Sequence, residues 1–213
     1  MKKTVCRQLL VVITTLSLIV SCSTPQTDIP DSPQNVSPLL IGSEVPDLTL
    51  PDPKGELISL SEIAGQNTLI VFYRGGWCPF CSAELSAIAE IEEELYEKGI
   101  TIVGISPDSP EYLQKSLNEL NTEFSLLSDS DMMVSKAFGI AFRENEETVN
   151  QLREFGMDIK ERSGRDHHLL PVPSVFLINN EGRIEFQYVN PNYKERINHN
   201  ILMAAADAML GSY

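Results

Sequence analysis

Short apolar runs and helical patterns alternate along most of this chain. The runs NTLIVFY (67–73) and ITIVGIS (100–106) are rich in β-branched and aromatic residues, which is typical of strands buried on both faces of a sheet. Between them, residues 80–97 carry apolar side chains at helical spacing, and Gly99 follows as a helix-ending residue. This alternation predicts an α/β fold in which helices flank a mixed central sheet.

Turn signals and further patterns extend this prediction to both ends of the domain. The other predicted elements are, in chain order, an N-terminal hairpin around Lys54-Gly55, a helix over 110–120, a strand over 124–129, a helix near 131–139, a hairpin over 174–189 and a last helix over 193–210. Residues 140–170 are too long for a simple connection and contain charged helical stretches. Because long structureless loops are uncommon inside compact domains, we expect a helical insertion there.

The first residues have the pattern of a secretion signal. Three basic side chains within residues 1–7 precede the apolar run 9–20, which is too short to span a bilayer as a helix. The run ends in IVSC (19–22), which resembles a bacterial lipobox. This resemblance implies cleavage before Cys22 and lipidation of that cysteine. The alternative is an uncleaved membrane anchor that ends in a chance cysteine.

These patterns divide the chain into three parts. Residues 1–21 are predicted to be a lipoprotein signal peptide, residues 22–41 the lipidated Cys22 and a flexible tether rich in Ser and Pro, and residues 42–213 the folded domain. We therefore expect a protein of the bacterial cell envelope that is anchored to a membrane by lipid and faces the periplasm or the exterior. Ser23 after the lipidated cysteine favours the outer membrane.

Charge and cysteine content narrow the possible functions. The chain is 42% hydrophobic with a formal net charge of −14, which is typical of a globular domain and leaves no basic stripe for nucleic-acid binding. Of the four cysteines, Cys6 and Cys22 belong to the predicted leader and anchor. The folded domain keeps Cys78 and Cys81, so a disulfide within one mature chain would join these two.

The Cys-x-x-Cys sequence CPFC (78–81) allows three kinds of site. A structural zinc ion needs four ligands, and the three histidines of the chain are poorly spaced to complete the set. A purely structural disulfide over so short a loop would stabilise little. A redox pair is the favoured interpretation. Because the sequence has no G-x-G-x-x-G and no P-loop, we expect no nicotinamide, flavin or other cofactor, and electrons must come from an outside thiol.

The placement of the two cysteines favours redox chemistry. Cys78 is predicted to lie where the strand over 67–73 gives way to the helix over 80–97. Free N–H groups and the positive end of the helix dipole stabilise a thiolate at that point. Pro79 suits the first helical position, where its missing N–H is not needed. Cys81 would lie one turn inside the helix, within reach of Cys78.

Three stretches together resemble the peroxiredoxin-like AhpC/TSA branch of the thioredoxin superfamily. The resemblance covers residues 42–210 and rests on VPDLTLPDPKGELISLSEI, LIVFYRGGWCPFCSAEL and PVPSVFLINNEGRIEF. It implies a thioredoxin-like fold and thiol-dependent reduction of hydroperoxides through a Cys78/Cys81 dithiol-disulfide cycle. It also implies a cis-proline, Pro173, that faces the cysteine pair.

The chain departs from the patterns of both branches. Where ordinary peroxiredoxins have Pro-x-x-x-Thr-x-x-Cys, this sequence has Arg74 for Pro, Cys78 for Thr and Cys81 for the peroxidatic cysteine. Pro173 occupies the place of a later arginine of that family. Helix position favours Cys78 as the nucleophile, whereas the alignment favours Cys81. We predict Cys78 on the electrostatic argument.

A second departure concerns the proton acceptor. Thioredoxins have a buried Asp just before the Phe of the strand, where this chain has Val71. Glu84 matches a glutamate that is frequent in both branches and could serve nearby.

Other residues near the motif have competing interpretations. Arg74 lowers a thiol pKa or binds a peroxide oxygen, or it is a surface arginine at a strand end. Trp77 shields the site and offers a docking surface, or it simply packs. His167 and His168 are expected to be a solvated surface pair rather than general acids.

The leading function is therefore reduction of hydroperoxides with an external thiol or thioredoxin-like electron donor. The first alternative is a protein disulfide reductase that uses the same cysteine pair. A non-enzymatic envelope lipoprotein is the remaining alternative.

Overall fold

A computed structural model describes residues 28–119 and 123–211. Its strands are β1 (Thr49–Pro51), β2 (Leu57–Ser59), β3 (Asn67–Phe72), β4 (Ile100–Ser106), β5 (Ser125–Ser128), β6 (Ala141–Arg143), β7 (Leu169–Pro171), β8 (Ser174–Ile178) and β9 (Ile184–Val189). Its helices are α1 (Leu60–Ile63), α2 (Pro79–Ala89), α3 (Glu92–Glu97), α4 (Pro110–Glu119), α5 (Met133–Ala137), α6 (Glu146–Glu154), α7 (Ile159–Ser163) and α8 (His199–Met209). The predicted signal peptide and Cys22 lie outside the described residues.

The central sheet has the strand order β5-β4-β3-β8-β9. β3 pairs in parallel with β4 and antiparallel with β8, so the sheet is mixed, which confirms the predicted fold class. The two faces of β3 enter separate cores because side chains alternate along a strand. Leu69 and Val71 pack with α2 and α8, and Ile70 and Phe72 pack on the opposite face.

The segment before Gly42 packs against the domain, unlike the flexible tether that its composition indicates. The N–H groups of Ser37 and Leu39 donate to the carbonyls of Gly139 and Phe138, each at 3.0 Å. Leu39 also packs against the core on the α5 side of the sheet. Scattered apolar side chains among the prolines, together with backbone pairing, fix this segment from about residue 29 onward.

The contact between this segment and Gly139 gives a test by substitution. A Cβ at Gly139 would lie 2.0 Å from the carbonyl oxygen of Ser37, and the residue has φ +69°. Gly139→Ala should therefore destabilise the protein more than Gly156→Ala, which has φ +80° and open space around its Cβ position. Gly156→Ala, the control, should lower the free energy of unfolding by only about 1–2 kcal/mol, the cost of holding an alanine in the left-handed backbone conformation. Urea unfolding of both variants measures the two losses of stability. Equal losses would contradict the packing of residues 37–39 against Gly139.

Two predicted helices differ from the structure in their bounds. The helix predicted over 80–97 is divided into α2 and α3, because Ile91 adopts φ −109° and ψ 7°. The acidic run Glu92–Glu94 then forms the first turn of α3, where negative charge is favoured by the helix dipole. The last helix starts at His199 rather than near 193, because the Asn198 side chain caps it by accepting from the Asn200 N–H.

The predicted insertion is folded and closes on itself. β6 pairs antiparallel with β7, and α6 and α7 lie between them in sequence. Val149 and Ile159 bury their side chains with residues of β6 and β7, and Trp77 packs against this cluster. The insertion therefore reaches the loop that carries the cysteines. Within the described residues, no helix is both long and apolar enough to cross a membrane.

Candidate active site

Cys78 and Cys81 lie where the sequence predicts, at the start of α2 beyond the end of β3. Cys78 is the N-cap residue of α2 and Pro79 follows in the first turn. The Cys78 N–H donates to the Gly75 carbonyl at 3.1 Å, which fixes the turn before the helix. Both cysteines are free thiols, with Cys78 2% exposed and Cys81 fully buried.

The pKa values of the two thiols are shifted in opposite directions. A hydrogen bond from the Cys81 thiol lowers the pKa of Cys78 to about 6, and the N–H groups of Cys81 and Phe80 and the charge of Arg74 act in the same direction against burial. The same hydrogen bond, followed by burial, raises the pKa of Cys81 well above its ordinary value. At neutral pH the pair therefore holds a Cys78 thiolate and a Cys81 thiol.

This arrangement predicts the pH dependence of alkylation. The thiolate is the reactive form, so the rate of Cys78 modification by iodoacetamide should rise with pH through about 6 and level off below pH 8. The alkylation rate of a free cysteine would instead rise around its usual pKa of about 8.5. Cys81→Ala removes the stabilising thiol donor and should move the midpoint upward. A wild-type midpoint near that of free cysteine would contradict the assignment.

Arg74 is buried beside the thiols and is not a surface arginine. Its Nη2 lies 3.5 Å from Glu144 Oε2, and only 7% of its side chain is exposed. Its guanidinium lies 5.2 Å from the centroid of the Trp77 ring and 4.6 Å from that of Tyr193. Glu144, from the insertion, and these rings hold the positive charge close enough to favour the Cys78 thiolate.

The expected cis bond at Pro173 is wrong. Within the described residues every peptide bond is trans. The chain runs on from β7 into β8, Val172 N–H donates to the Ile140 carbonyl, and Ser174 pairs with Phe72. Two strand pairings on either side of Pro173 thus keep the backbone extended, and the trans form is the intrinsically favoured one. Pro173 and Arg74 line a common cavity of 430 Å³.

Glu84 is buried one turn beyond Cys81, with an unexpected partner. Burial raises the pKa of Glu84 to about 7, although Arg196 opposes this shift. Arg196 Nε lies 2.7 Å from Glu84 Oε2, and Arg196 Nη2 donates to Cys81 Sγ at 3.5 Å. Sequence reasoning missed Arg196 because it lies 115 residues from Cys81, in a stretch whose pattern indicates only the start of the last helix.

Asp108 is a second residue that the sequence did not reveal. It is 1% exposed and its Oδ2 accepts from the Gly76 N–H at 2.8 Å. Arg162 of α7 donates to both of its oxygens, at 3.1 and 2.8 Å. The Gly75-Gly76 pair is the available signal, since a Cβ on Gly75 would lie 2.8 Å from Asp108 Oδ1 and 2.4 Å from Trp77 Nε1.

The remaining predicted residues occupy different environments. Trp77 is half-buried and packs against both the main core and the insertion cluster. His167 is structural, because its Nε2 donates to the Ser130 carbonyl at 2.8 Å while its Nδ1 accepts from Leu169 N–H. His168 faces Glu146 at 3.1 Å beside a separate surface cavity. In the part of the chain that the structure describes, no three His, Cys, Asp or Glu side chains are arranged to hold a metal ion.

The family model for AhpC/TSA matches residues 41–187. The chain belongs to the AhpC/TSA family. Relatives within this family include Peroxiredoxin Bcp of Escherichia coli K12, which is 34% identical over 105 residues, or 49% of this chain and 67% of that protein. Peroxiredoxin Bcp of Bacillus subtilis 168 is 29% identical over 157 residues, or 74% of this chain and 89% of that protein.

Several solved structures share the fold of this chain. Peroxidoxin BcpB of Mycobacterium tuberculosis has a TM-score of 0.59 at 22% identity, covering 81% of this chain and 94% of its own. The bacterioferritin comigratory protein of Xanthomonas campestris has a TM-score of 0.62 at 22% identity, covering 81% and 98%. A putative thiol:disulfide interchange protein DsbE from Chlorobium tepidum has a TM-score of 0.54 at 22% identity, covering 81% and 99%. At these identities the likeness concerns the fold alone.

Proposed function

We propose that this AhpC/TSA chain is a thiol-dependent peroxidase in which Cys78 attacks the hydroperoxide and Cys81 closes a disulfide. Peroxiredoxins are thiol peroxidases, and relatives named peroxiredoxin match about half to three quarters of this chain. The single observation that carries the residue assignment is the position of Cys78 as the N-cap residue of α2, where the Cys81 thiol and the charge of Arg74 lower its pKa. A thiolate at neutral pH is the form that attacks a peroxide oxygen.

The reaction has three balanced steps. The Cys78 thiolate attacks one peroxide oxygen, the O–O bond breaks, and the leaving alkoxide takes a proton to become an alcohol or, from hydrogen peroxide, water. Cys78 is now a sulfenic acid. The Cys81 sulfur then attacks Cys78 Sγ, the S–O bond breaks and water leaves, which forms the disulfide. Two thiol groups of an external donor, of the thioredoxin-like kind that peroxiredoxins use, then restore both cysteines and are themselves joined in a disulfide.

Arg74 has a defined place in the first step. Its charge favours the Cys78 thiolate before attack. We expect the same cation to stabilise negative charge on the departing oxygen. The Glu144 contact at 3.5 Å and the Trp77 and Tyr193 rings fix its direction. Apolar Phe142, Leu152 and Pro173 line the cavity that Arg74 also lines.

The same cysteine pair would support the alternative, reduction of protein disulfides. A low-pKa thiolate with a buried partner thiol is what thiol–disulfide exchange also needs. The small exposure of Cys78, 2%, favours a small oxidant, because a protein disulfide must approach the sulfur in line.

One rate distinguishes the two functions. The reduced protein is mixed with hydrogen peroxide and the fluorescence of Trp77, the only tryptophan, is followed. A rate far above that of a free thiol at the same pH, and absent in Cys78→Ser, is expected. A rate equal to that of a free thiol, combined with rapid reduction of a mixed disulfide, would contradict peroxidase activity and support disulfide reduction as the function.

The cellular setting follows from the N-terminal sequence and is also a proposal. The lipobox-like residues 19–22 support a lipid-anchored envelope protein that meets peroxides outside the cytoplasm. The mass of the N-terminal peptide of the membrane-extracted protein tests this. We expect a peptide that begins at an acylated Cys22, and an unmodified Cys22 would contradict it.

A further inference from the structure

Cys78 is almost completely enclosed in the reduced protein. Only 2% of the residue is exposed, and Cys81 is fully buried. Hydrogen peroxide is small enough to reach such a sulfur, whereas a thiol or disulfide on a second protein must approach in line with the bond that forms or breaks. The side chains around Cys78 therefore decide which reactants reach the sulfur.

The loop between β9 and α8, residues 190–198, lies between two cavities. Its first part, up to Tyr193, lines the 430 Å³ cavity that Arg74 also lines. Its second part, from Lys194 onward, lines a cavity of 420 Å³ together with Phe80. The loop thus passes from one cavity to the other at Tyr193.

The Tyr193 ring contacts one residue of each cavity. Its centroid lies 4.6 Å from the guanidinium carbon of Arg74 and 5.7 Å from the centroid of the Phe80 ring, which it meets edge to face. Arg74 and Phe80 both favour the Cys78 thiolate, Arg74 through its charge and Phe80 through its N–H group. The ring therefore bridges two residues that act on the same sulfur.

Arg74 lies between two aromatic rings, and only one of them is firmly packed. Trp77, whose centroid is 5.2 Å from the guanidinium carbon, packs against both the main core and the insertion cluster. Tyr193 is 37% exposed and lies on a loop. The Tyr193 side of Arg74 is therefore the side that can open.

The loop around Tyr193 is closed by local hydrogen bonds. The side-chain oxygen of Asn192 accepts from the Lys194 N–H at 3.2 Å, and the Asn192 carbonyl accepts from the N–H three residues further on at 2.9 Å. The ion pair between Arg196 and Glu84 ties the end of the loop to α2. Movement of Tyr193 thus needs only residues 190–195 to swing, with the flanking strand and helix left in place.

We propose that Tyr193 is a specificity-determining residue that selects reactants for Cys78 by size. In the closed position its ring covers the approach between the two cavities, so hydrogen peroxide reaches the thiolate and a protein thiol or disulfide is excluded. A protein-sized reactant is admitted when residues 190–195 swing outward and the ring leaves Arg74 and Phe80. This inference rests on the proposed function, in which Cys78 is the attacking thiol.

The two halves of the proposed cycle depend differently on this ring. Oxidation by peroxide needs no opening. Reduction of the disulfide needs a donor thiolate to form a bond with Cys78 Sγ as the S–S bond breaks and Cys81 takes the electron pair. A cation–π contact and an aromatic pair together favour the closed loop by about 10- to 100-fold. Loss of the ring should therefore speed reactions with protein-sized partners.

Two maleimides that differ in size test the proposal on the reduced full-length protein. One is N-ethylmaleimide and the other is a maleimide coupled to a small folded protein, and loss of unmodified Cys78 is followed by mass spectrometry. Both reagents need the same thiolate, so the ratio of the two rates cancels any change in the pKa of Cys78. We expect Tyr193→Ala to raise the large-to-small ratio on the order of 10-fold. An unchanged ratio would overturn the proposal.

Companion variants separate the ring from general loosening of the fold. Tyr193→Phe keeps the ring and should keep the wild-type ratio, whereas Phe80→Ala removes the other ring of the pair and should raise it. Tyr96→Ala removes a tyrosine of similar exposure, 39%, from α3 and should leave the ratio unchanged. If Tyr193→Ala fails to fold, Phe80→Ala decides. An equal rise in Tyr96→Ala would contradict the assignment.

A protein disulfide gives the functional measurement. Tyr193→Ala should reduce a glutathionylated protein on the order of 10-fold faster than the wild type, while its oxidation by hydrogen peroxide changes less. Equal changes in the two rates would contradict selection by size.

The proposed function can fail separately from this inference. Oxidation by hydrogen peroxide no faster than that of a free thiol would contradict peroxidase activity, and the maleimide ratio would still report on Tyr193. Fast oxidation by peroxide with an unchanged maleimide ratio in Tyr193→Ala would leave the peroxidase in place and overturn only the role of Tyr193.

Discussion

Cys78→Ser is expected to abolish hydroperoxide reduction, with the rate falling by several orders of magnitude to that of solution chemistry. The serine hydroxyl stays protonated at neutral pH, and the helix start and Arg74 cannot make it a nucleophile of comparable strength. Loss of a nucleophile is the most damaging single change that an enzyme of this kind can suffer. Peroxide consumption in the presence of dithiothreitol measures the effect.

Cys81→Ser should behave differently under the same conditions. It keeps the Cys78 thiol, so one peroxide equivalent should still be consumed quickly, and a small thiol can then reduce the sulfenic acid directly. Turnover should persist with dithiothreitol and disulfide formation should disappear. The asymmetry between the two variants is the signature of the assignment. Loss of the first oxidation in Cys81→Ser, with its retention in Cys78→Ser, would reverse the two roles.

Asp108→Ala should have the largest effect on stability among the site residues. Asp108 is buried, accepts from the Gly76 N–H and forms two hydrogen bonds with Arg162. Its removal leaves a largely buried guanidinium and a loop N–H without their partner, at a cost of about 3 kcal/mol. The loop that carries Trp77 and Cys78 would also loosen, so peroxide reduction should fall by up to about 10²-fold.

Asp131→Ala is the matched control. Asp131 forms an ion pair with Arg165 of the same insertion, but its side chain is 62% exposed. Exposed pairs of this kind contribute about 0–1 kcal/mol, so this variant should unfold near the wild-type urea concentration and keep its activity. Equal stability losses in Asp108→Ala and Asp131→Ala would show that Asp108 has no special role in holding the loop.

The sequence predicted those parts of the site that depend on local pattern. β3, the turn and α2 follow one another within about two dozen residues, so hydrophobic periodicity and the position of Pro79 placed Cys78 at a helix start. The same reasoning placed Cys81 one turn inside, where it is fully buried. The mixed character of the sheet was predicted from alternating strands and helices plus a closing hairpin, and the structure adds the strand order β5-β4-β3-β8-β9.

The partners of these residues depended on packing between distant segments and could not be read from pattern. Asp108 and Arg162 are 54 residues apart, and Cys81 and Arg196 are 115 apart. Nothing local distinguishes Arg196 from other charged residues before a helix. The expected cis bond at Pro173 came from family resemblance, and strand pairing on both sides of this residue determines its extended trans geometry instead.

The identity of the first oxidised sulfur tests the central claim most directly. The reduced full-length protein is mixed with one equivalent of hydrogen peroxide, quenched within milliseconds in a sulfenic acid trap and digested with trypsin. Both cysteines lie in the peptide covering residues 75–98, and fragmentation between them locates the label. The account predicts the label on Cys78, whose pKa is about 6. A label on Cys81 would contradict it and place the peroxide-attacking thiol at the position that alignment with ordinary peroxiredoxins favours.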